Sequence, residues 1–358
     1  MRKIYLIRHS QPNFPDEKKM CIGKTDLPLS ALGRMQSVLL AEGLKEKKIS
    51  KVFCSPLRRS RETASYLCAE VVEKSGLAEF DCGEWDGYSF DEIKKCWPEI
   101  YELRGIDLSY PIPGAEPLEE GMKRFEKAML ESLVESDGDI AIVGHATANK
   151  TFLCPLYGIE PKFHRQIPMD YASVTTLCWD GKFSVEKQNE VFVPDLSEEL
   201  CKRLLMAVKT PEHVQKHCVA VKDQAIKICQ ALKDANVELN EELLAASALL
   251  HDIARTEKRH DTAGAEWMKN LGYENIAQVI AGHHDGNINI EEIDEKAVLI
   301  MADRTVRETE VVSVEDRFLN SREKCKTEEA LRMHEQRYVQ TIALKEKINT
   351  ICGKEIIL

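Results

Sequence analysis

The sequence predicts two domains of different fold class. An α/β domain with a mostly parallel sheet flanked by helices is expected over residues 1–193, and an all-α domain over residues 198–345. Three observations support this division. Short apolar runs alternate with helical patterns in the first half, long helical patterns replace them after about Leu196, and the chain of 358 residues is longer than one typical domain.

Strands and helices alternate along the first domain. In order, the predicted elements are a strand at 4–7, a helix over 30–44 capped by its first residue, a strand at 52–54, a helix from about 57, and a strand at 139–143. Chemistry in such sheets gathers at the carboxyl ends of the strands. The polar residues that directly follow these strands are therefore candidate site residues: Arg8, His9, Ser55 and His145.

The second domain is predicted as a series of helices. Residues 194–197 form the linker, and Ser197 is expected to cap the helix that follows. Thr210 and Pro211 have the pattern of an N-cap and a first helical residue. A further, mostly apolar helix is expected over 239–253.

The composition excludes several classes of function. The net charge is −11, and an acidic chain is a poor binder of nucleic acid. No apolar run approaches the roughly 20 residues that cross a membrane, and the N-terminal run is too short for an export signal. The twelve cysteines are scattered without a CxxC pair, as is typical of reduced thiols. We therefore expect a cytoplasmic protein with neither nucleic acid nor membrane as partner.

The first set of candidate residues combines arginines, histidines and carboxylates. The stretches that carry the pattern are Arg8-His9-Ser10, Gly23-Lys24-Thr25-Asp26, Ser55-Pro56-Leu57-Arg58-Arg59, Leu77-Ala78-Glu79-Phe80, Gly83-Glu84-Trp85-Asp86-Gly87 and Gly144-His145. In this order and spacing they resemble the histidine phosphatase superfamily, in its phosphoglycerate-mutase-like branch. The resemblance covers nearly all of residues 1–190.

The resemblance implies hydrolysis of a phosphomonoester through a phosphohistidine. His9 would be the nucleophile, and Glu79 would give a proton to the leaving group. Arg8, Arg59 and His145 would hold the phosphoryl oxygens, for which the forked guanidinium group is well suited. No metal or other cofactor is expected in this domain.

Two of these assignments have rivals nearby in the sequence. Arg58 stands beside Arg59 and is an alternative phosphate ligand, although the register after Ser-Pro-Leu favours Arg59. Glu84 and Asp86 are alternatives to Glu79, and otherwise they shape a loop.

Two further observations concern the pocket and the activity. Ala146 stands after the second histidine, where the family usually has glycine, and its methyl group narrows the pocket. A phosphoglycerate-type mutase is the alternative activity. A phosphatase is favoured because the sequence has no long insertion of the kind that shapes a mutase pocket.

A second set of candidates combines histidines with aspartates in apolar surroundings. Its members are His217, His251, Asp252, His260, His283, His284 and Asp303. Five of the ten histidines of the chain belong to this set, within 68 residues of sequence. Imidazole and carboxylate ligands together suit a borderline transition metal.

This second set resembles the HD-domain metal-dependent phosphohydrolases over about residues 198–305. The resemblance implies that four residues bind metal: His217, His251, Asp252 and Asp303. Three others would bind a second metal or the phosphate: His260, His283 and His284. One or two divalent ions are expected, with Mn, Fe, Zn, Ni and Co as candidates. His213, one turn before His217, is expected to lie at the surface or to support the ligands.

We therefore expect a phosphohydrolase with two centres. One is a metal-free phosphatase that acts through phosphohistidine, and the other is a metal-dependent centre that cleaves nucleotide-like phosphate esters. The partner of each is a small phosphorylated metabolite or nucleotide. The alternative for the second domain is a ligand-binding regulator of the phosphatase.

Overall fold

A computed structural model of the chain describes residues 1–67, 69–284 and 292–357. It divides into two compact units, Met1–Pro194 and Asp195–Leu358. No helix in the described ranges is both long and apolar enough to cross a membrane. No disulfide joins the eleven cysteines that these ranges contain.

The first unit is built on one six-stranded sheet. Its strands are β1 (Arg2–Arg8), β2 (Ile49–Cys54), β3 (Glu70–Glu73), β4 (Asp139–Gly144), β5 (Val174–Trp179) and β6 (Phe183–Glu190). Its α-helices are α1 (Ala31–Leu44), α2 (Arg58–Ala64), α3 (Phe90–Cys96), α4 (Pro98–Ile106), α5 (Leu118–Val134) and α6 (Ala146–Leu153). Short 3-10 helices lie at Pro15–Glu17, Ser75–Leu77, Gly83–Trp85, Cys154–Tyr157 and Pro161–Gln166.

The strands lie in the order β3-β2-β4-β1-β5-β6. The first four of these are parallel to one another, whereas β5 and β6 add an antiparallel edge. The predicted α/β class is thus confirmed. Ser30 caps α1 as expected, because its side chain accepts a hydrogen bond from the amide of Gly33 at 2.9 Å.

Strand β1 is buried on both faces. Ile4 and Leu6 pack in one apolar layer, and Tyr5 and Ile7 pack in the other. Successive side chains of a strand point to opposite faces, so a strand covered on both sides is apolar throughout. This explains the continuous apolar run that marked the strand in the sequence.

The start of β1 is fixed to the start of β4. The Arg2 guanidinium donates hydrogen bonds to the carbonyl of Gly138 at 2.7 and 2.9 Å and to that of Leu133 at 2.6 Å. The amide of Lys3 donates to a carboxylate oxygen of Asp139 at 2.8 Å. At the other end of the pair, Arg8 lies opposite Gly144.

The second unit is helical, as predicted. Its helices are α7 (Glu198–Ala207), α8 (Glu212–Asp234), α9 (Glu241–Leu250), α10 (His260–Asn270), α11 (Glu274–Ile280), α12 (Glu295–Thr305), α13 (Val314–Arg322) and α14 (Glu328–Cys352). Two short strands, β7 (Val306–Arg307) and β8 (Glu310–Val311), form a hairpin after α12 that the sequence analysis did not anticipate. Ser197 caps α7 by accepting a hydrogen bond from Leu200 at 3.2 Å.

Two helix boundaries differ from the prediction. Pro211, rather than Thr210, is the N-cap of α8, and the Thr210 hydroxyl instead donates to the carbonyl of Ile253 at 3.4 Å. The helix expected over 239–253 extends only over α9, with Asn240 as its cap. It ends at His251, whose Nδ1 donates to the carbonyl of Ala248 at 2.8 Å.

Candidate active site and metal centre

Two histidines emerge side by side from the ends of neighbouring parallel strands. Because Arg8 pairs with Gly144 in register, the next residue of each strand, His9 and His145, leaves the sheet at the same edge. The amide of His9 donates to the carbonyl of Gly144 at 3.0 Å. The two imidazole rings have centroids 5.0 Å apart, and both side chains are buried.

The environment of His9 favours a neutral ring with its lone pair on Nε2. Its Nδ1 lies 2.8 Å from the carbonyl oxygen of Ser10, which can only accept, so Nδ1 carries the proton. Burial, together with the charges of Arg59 and Arg8, holds the pKa of His9 well below its ordinary value. Burial and the charge of Arg59 act on the pKa of His145 in the same direction. A neutral imidazole is the form that can act as a nucleophile.

The two arginines are held by backbone carbonyl groups. Arg59, on α2, is fully buried and donates to the carbonyls of Thr25 at 2.8 Å and of Ile22 and Gly23 at 3.1 Å. Arg8 donates to the carbonyl of another residue, Met169, at 2.7 Å. Both guanidinium groups are thus oriented before any ligand binds.

Tyr171 lines the same site. The Arg8 guanidinium carbon lies 3.8 Å from the centre of its ring, in a cation–π contact. The ring centroid of Tyr171 is 5.7 Å from that of His9. Sequence reasoning missed this residue, because nothing in the local pattern relates it to a strand more than 160 positions earlier.

Several buried polar atoms here have no hydrogen-bond partner among the described residues. They are the Nε atoms of Arg8 and Arg59 and both ring nitrogens of His145. Leaving a buried donor unsatisfied costs about 1–3 kcal/mol, and more for a charged group. A group of such atoms is consistent with a site that an anion completes.

Glu79 lies at the amino end of α6. Its carboxylate accepts hydrogen bonds from the amides of Thr147 at 3.0 Å and Ala148 at 2.9 Å, where the helix dipole favours a negative charge. Burial lowers the pKa of both Arg8 and Arg59, and the charge of Glu79 opposes that shift. Glu79 is therefore close enough to both arginines for its charge to favour their protonated forms.

The rivals of these residues have other contacts. Arg58 points to the surface, where its Nε lies 2.6 Å from a carboxylate oxygen of Glu62. Glu84 is exposed, whereas Asp86 accepts hydrogen bonds from three consecutive backbone amides. These amides, of residues 23–25 and at 2.9–3.0 Å, belong to the loop that holds Arg59.

In the second unit, seven side chains converge on one cluster. Two groups of His and Asp residues have ligand atoms close enough to hold a metal ion, and both contain Asp252. The members of the two groups are His217, His251 and Asp252, and Asp252, His260, His283 and His284. Asp303 lies beside the first group, with one carboxylate oxygen 3.0 Å from Nε2 of His217 and 3.7 Å from Nε2 of His251.

The histidines of the cluster are oriented by backbone carbonyls. The Nδ1 atoms of His251 and His283 donate to Ala248 and Ile280, both at 2.8 Å. Their Nε2 atoms are buried and have no hydrogen-bond partner in the described part of the chain. A neutral imidazole whose Nδ1 binds a carbonyl presents an Nε2 lone pair, which is the arrangement of a metal ligand. The residues present therefore fit a divalent transition metal.

The hairpin after α12 orients a third histidine. Nδ1 of His217 lies 3.0 Å from the carbonyl of Glu308, which sits between β7 and β8. Glu308 has a left-handed backbone with φ of 56°, a conformation that is uncommon for a residue with a side chain. The hairpin, which the sequence did not predict, thus supplies a backbone carbonyl that orients a candidate ligand of the cluster.

The two carboxylates of the cluster are held in their ionised form. Burial alone would raise the pKa of Asp303, but the hydrogen bond with His217 and the nearby imidazole of His251 together hold it well below its usual range. The pKa of Asp252 is also lowered: burial opposes this shift, and the contacts with His260, His251 and Arg255 together outweigh it. Burial lowers the pKa of His283 to about 3. Ionised carboxylates and a neutral imidazole are the forms that bind metals.

Two comparisons of the sequence with protein families give matches. Residues 4–190 match the model of the histidine phosphatase superfamily (branch 1), which is just over half of the chain. The chain belongs to this superfamily. Residues 214–318 match the HD domain, so this histidine phosphatase carries an HD domain in its second unit. Both resemblances seen in the sequence are thereby confirmed.

Individual relatives match the phosphatase part. Phosphoserine phosphatase 1 of Hydrogenobacter thermophilus is 25% identical over 193 residues, which cover 52% of this chain and 90% of that protein. The phosphatase PhoE of Bacillus subtilis is 29% identical over 168 residues, covering 45% of this chain and 81% of that one. The solved structure of Bacillus stearothermophilus YhfR is similar in fold, with a TM-score of 0.50 at 23% identity, covering 54% of this chain and 98% of that one.

The histidine phosphatase also has a cation, Arg255, at this candidate metal cluster that the sequence analysis did not single out. Nη1 of Arg255 lies 2.9 Å from Nε2 of His260 and 3.4 Å from a carboxylate oxygen of Asp252. Arg255 follows Asp252 by three residues, which places both side chains on the same side of a turn. This spacing could have identified Arg255 from the sequence. His213 is exposed and belongs to neither group of candidate ligands.

Replacing Asp86 by asparagine is expected to lower kcat/KM of the phosphatase about ten- to a hundredfold. The amide group would face backbone N–H donors of the 23–25 loop, so the loop and the Arg59 guanidinium would lose their fixed position. Steady-state kinetics on a phosphomonoester measure the effect, with the exposed neighbour Glu84→Gln as control. Equal kcat/KM in the two variants would contradict this role.

Proposed function

We propose that residues 1–193 form a phosphatase domain that hydrolyses phosphomonoesters through a phosphohistidine at His9. The observation that carries the proposal is the pairing of His9 with His145 beside two oriented guanidinium groups that retain unpartnered donors. A phosphomonoester dianion would complete this site, since its oxygens accept from those donors.

The residues divide the reaction between them. Nε2 of His9 attacks phosphorus, and the bond from phosphorus to the ester oxygen breaks. Glu79 takes up a proton when the phosphate dianion binds beside it, and it gives this proton to the leaving oxygen. Arg8, Arg59 and His145 hold the charge that develops on the phosphoryl oxygens. Glu79 then takes a proton from water, which attacks the phosphohistidine and releases inorganic phosphate and neutral His9.

A mutase would return the phosphoryl group to the substrate instead of to water. The names of the phosphatase relatives support hydrolysis, and phosphoserine and similar small phosphorylated metabolites are the substrate class that follows from them. The test measures where the phosphate goes. Release of inorganic phosphate in equal amount to the dephosphorylated product supports the proposal, and an isomeric phosphate ester would contradict it.

We propose further that residues 198–345 form a metal-dependent phosphohydrolase domain that cleaves nucleotide-like esters. One ion would be held by His217, His251, Asp252 and Asp303. A second ion would share Asp252 and be held by three further histidines: His260, His283 and His284. Ions held here would polarise a phosphate oxygen and lower the pKa of a bound water. The converging Nε2 atoms support this function over a purely regulatory role, which has no need of them.

Removing metal is expected to separate the two activities. A chelator should leave hydrolysis at His9 unchanged, because that site offers guanidinium and imidazole groups with a single carboxylate. The activity of the second unit should fall to background and return when Mn²⁺ is added. Elemental analysis before and after chelation, with assays on a phosphomonoester and a nucleotide, checks this result. Equal loss of both activities would contradict the division.

A further inference from the structure

Helix α14 brings an arginine to the metal cluster from outside the region that matches the HD domain. The match ends at residue 318, and α14 begins at Glu328. Nη1 of Arg337 lies 3.4 Å from the carbonyl oxygen of His284, whose Nε2 lies in the cluster 2.7 Å from Nε2 of His260. Arg337 therefore contacts the backbone of a residue whose side chain is a candidate ligand.

The guanidinium of Arg337 has no acidic partner in residues 1–67, 69–284 and 292–357. Its side chain is half-buried, and among the described residues no carboxylate lies within ion-pair distance of its guanidinium. Its neighbour in space is another cation, Arg304, whose buried guanidinium donates to Thr341 of α14 at 2.7 Å. A half-buried guanidinium that uses one donor on a single long hydrogen bond keeps its other donors for an anion.

A groove with an aromatic lining begins one helical turn from Arg337. It lies between α13 and α14 and has a volume of 370 Å³. Its aromatic lining consists of Phe318, His334 and Tyr338, with ring centroids 5.2–5.3 Å apart across Phe318. Residues three apart on a helix are neighbours, so Arg337 lies next to His334 of the groove. The volume is within the range of small-molecule pockets.

The charges around the groove decide what kind of group fits it. Glu315, Asp316 and Glu335 line it together with one cation, Arg322. Three carboxylates would repel a phosphate group inside the groove, but they can accept hydrogen bonds from hydroxyl or amino groups. Aromatic side chains pack well against a planar ring.

We propose that α14 supplies the recognition surface of the metal centre: Arg337 binds the phosphate of the substrate, and the groove takes the nucleoside of a nucleoside phosphate. The proposal rests on the metal-dependent function of the second unit. It assigns substrate recognition to a helix that the family match does not include.

The test measures product binding to the full chain, which avoids turnover. The full chain is loaded with Mn²⁺, and inorganic phosphate is added. Broadening of the phosphorus NMR signal reports phosphate bound beside the ion, so phosphate bound to the first unit does not contribute. Arg337→Gln is expected to weaken phosphate binding roughly tenfold to a hundredfold with unchanged Mn²⁺ content. Arg332→Gln, an exposed arginine on the same helix, should bind phosphate as the parent does.

The groove is tested separately with adenosine, by calorimetric titration. Tyr338→Ser should weaken adenosine binding and leave phosphate broadening unchanged. Phosphate binding by Arg337→Gln equal to that of Arg332→Gln would overturn the role of Arg337, as would lower Mn²⁺ content, which marks a structural role. No adenosine binding by the parent, or no effect of Tyr338→Ser, would overturn the groove. A parent that binds no Mn²⁺ would instead refute the proposed function, and the inference with it.

Discussion

Replacing His9 by alanine is expected to lower phosphomonoester hydrolysis by a factor on the order of 10⁴ or more, because the covalent route is lost. Arg8, Arg59 and His145 would still bind the phosphate, so substrate binding should change far less than turnover. Steady-state kinetics on a phosphomonoester, with a separate measurement of phosphate affinity, check both parts.

The control for this variant is His213→Ala, which removes an exposed histidine and should leave the activity unchanged. Rapid quenching of the parent protein with a labelled substrate should trap acid-labile phosphate on His9. Label on any other residue would refute the proposed nucleophile, even if His9→Ala were inactive.

Replacing Asp252 by asparagine is expected to abolish the metal-dependent activity and to weaken metal binding by at least about a hundredfold. Asp252 belongs to both groups of candidate ligands, so one substitution removes a charged ligand from each. Elemental analysis of the purified variant and a nucleotide hydrolysis assay measure the two effects.

Asp234→Asn is the matched control, since it makes the same chemical change at an exposed end of α8. The activity at His9 should be unchanged in both variants. Full metal content in Asp252→Asn would show that Asp252 is not a ligand, and the cluster would then need a different explanation.

The parts of the site that depend on strand ends were predictable from sequence. His9 and His145 follow apolar runs that form β1 and β4, and the rule that chemistry gathers where parallel strands end holds regardless of loop shape. The two histidine–aspartate groups were visible because five of the ten histidines of the chain fall within 68 residues, interleaved with aspartates in apolar surroundings.

Contacts between distant segments were not predictable. Tyr171 reaches Arg8, Asp86 holds the 23–25 loop, and Arg337 reaches His284, each across more than 50 residues of sequence. Local propensity also placed the cap of α8 at Thr210, where a tertiary hydrogen bond to Ile253 uses the hydroxyl instead. In these cases packing, which a single sequence does not display, decided the outcome.

The hydrogen bonds of Arg2 bear on how β1 finds its partner during folding. Because both faces of β1 are apolar, burial alone does not distinguish the native alignment with β4 from one that is slipped along the strand. The guanidinium of Arg2 recognises the carbonyl of Gly138 and so sets the alignment at one end. His9, the proposed nucleophile, follows at the opposite end, about 23 Å away for seven residues of extended chain. Arg2, at the opposite end of β1 from the candidate site, thus helps to set the strand alignment that brings His9 and His145 side by side.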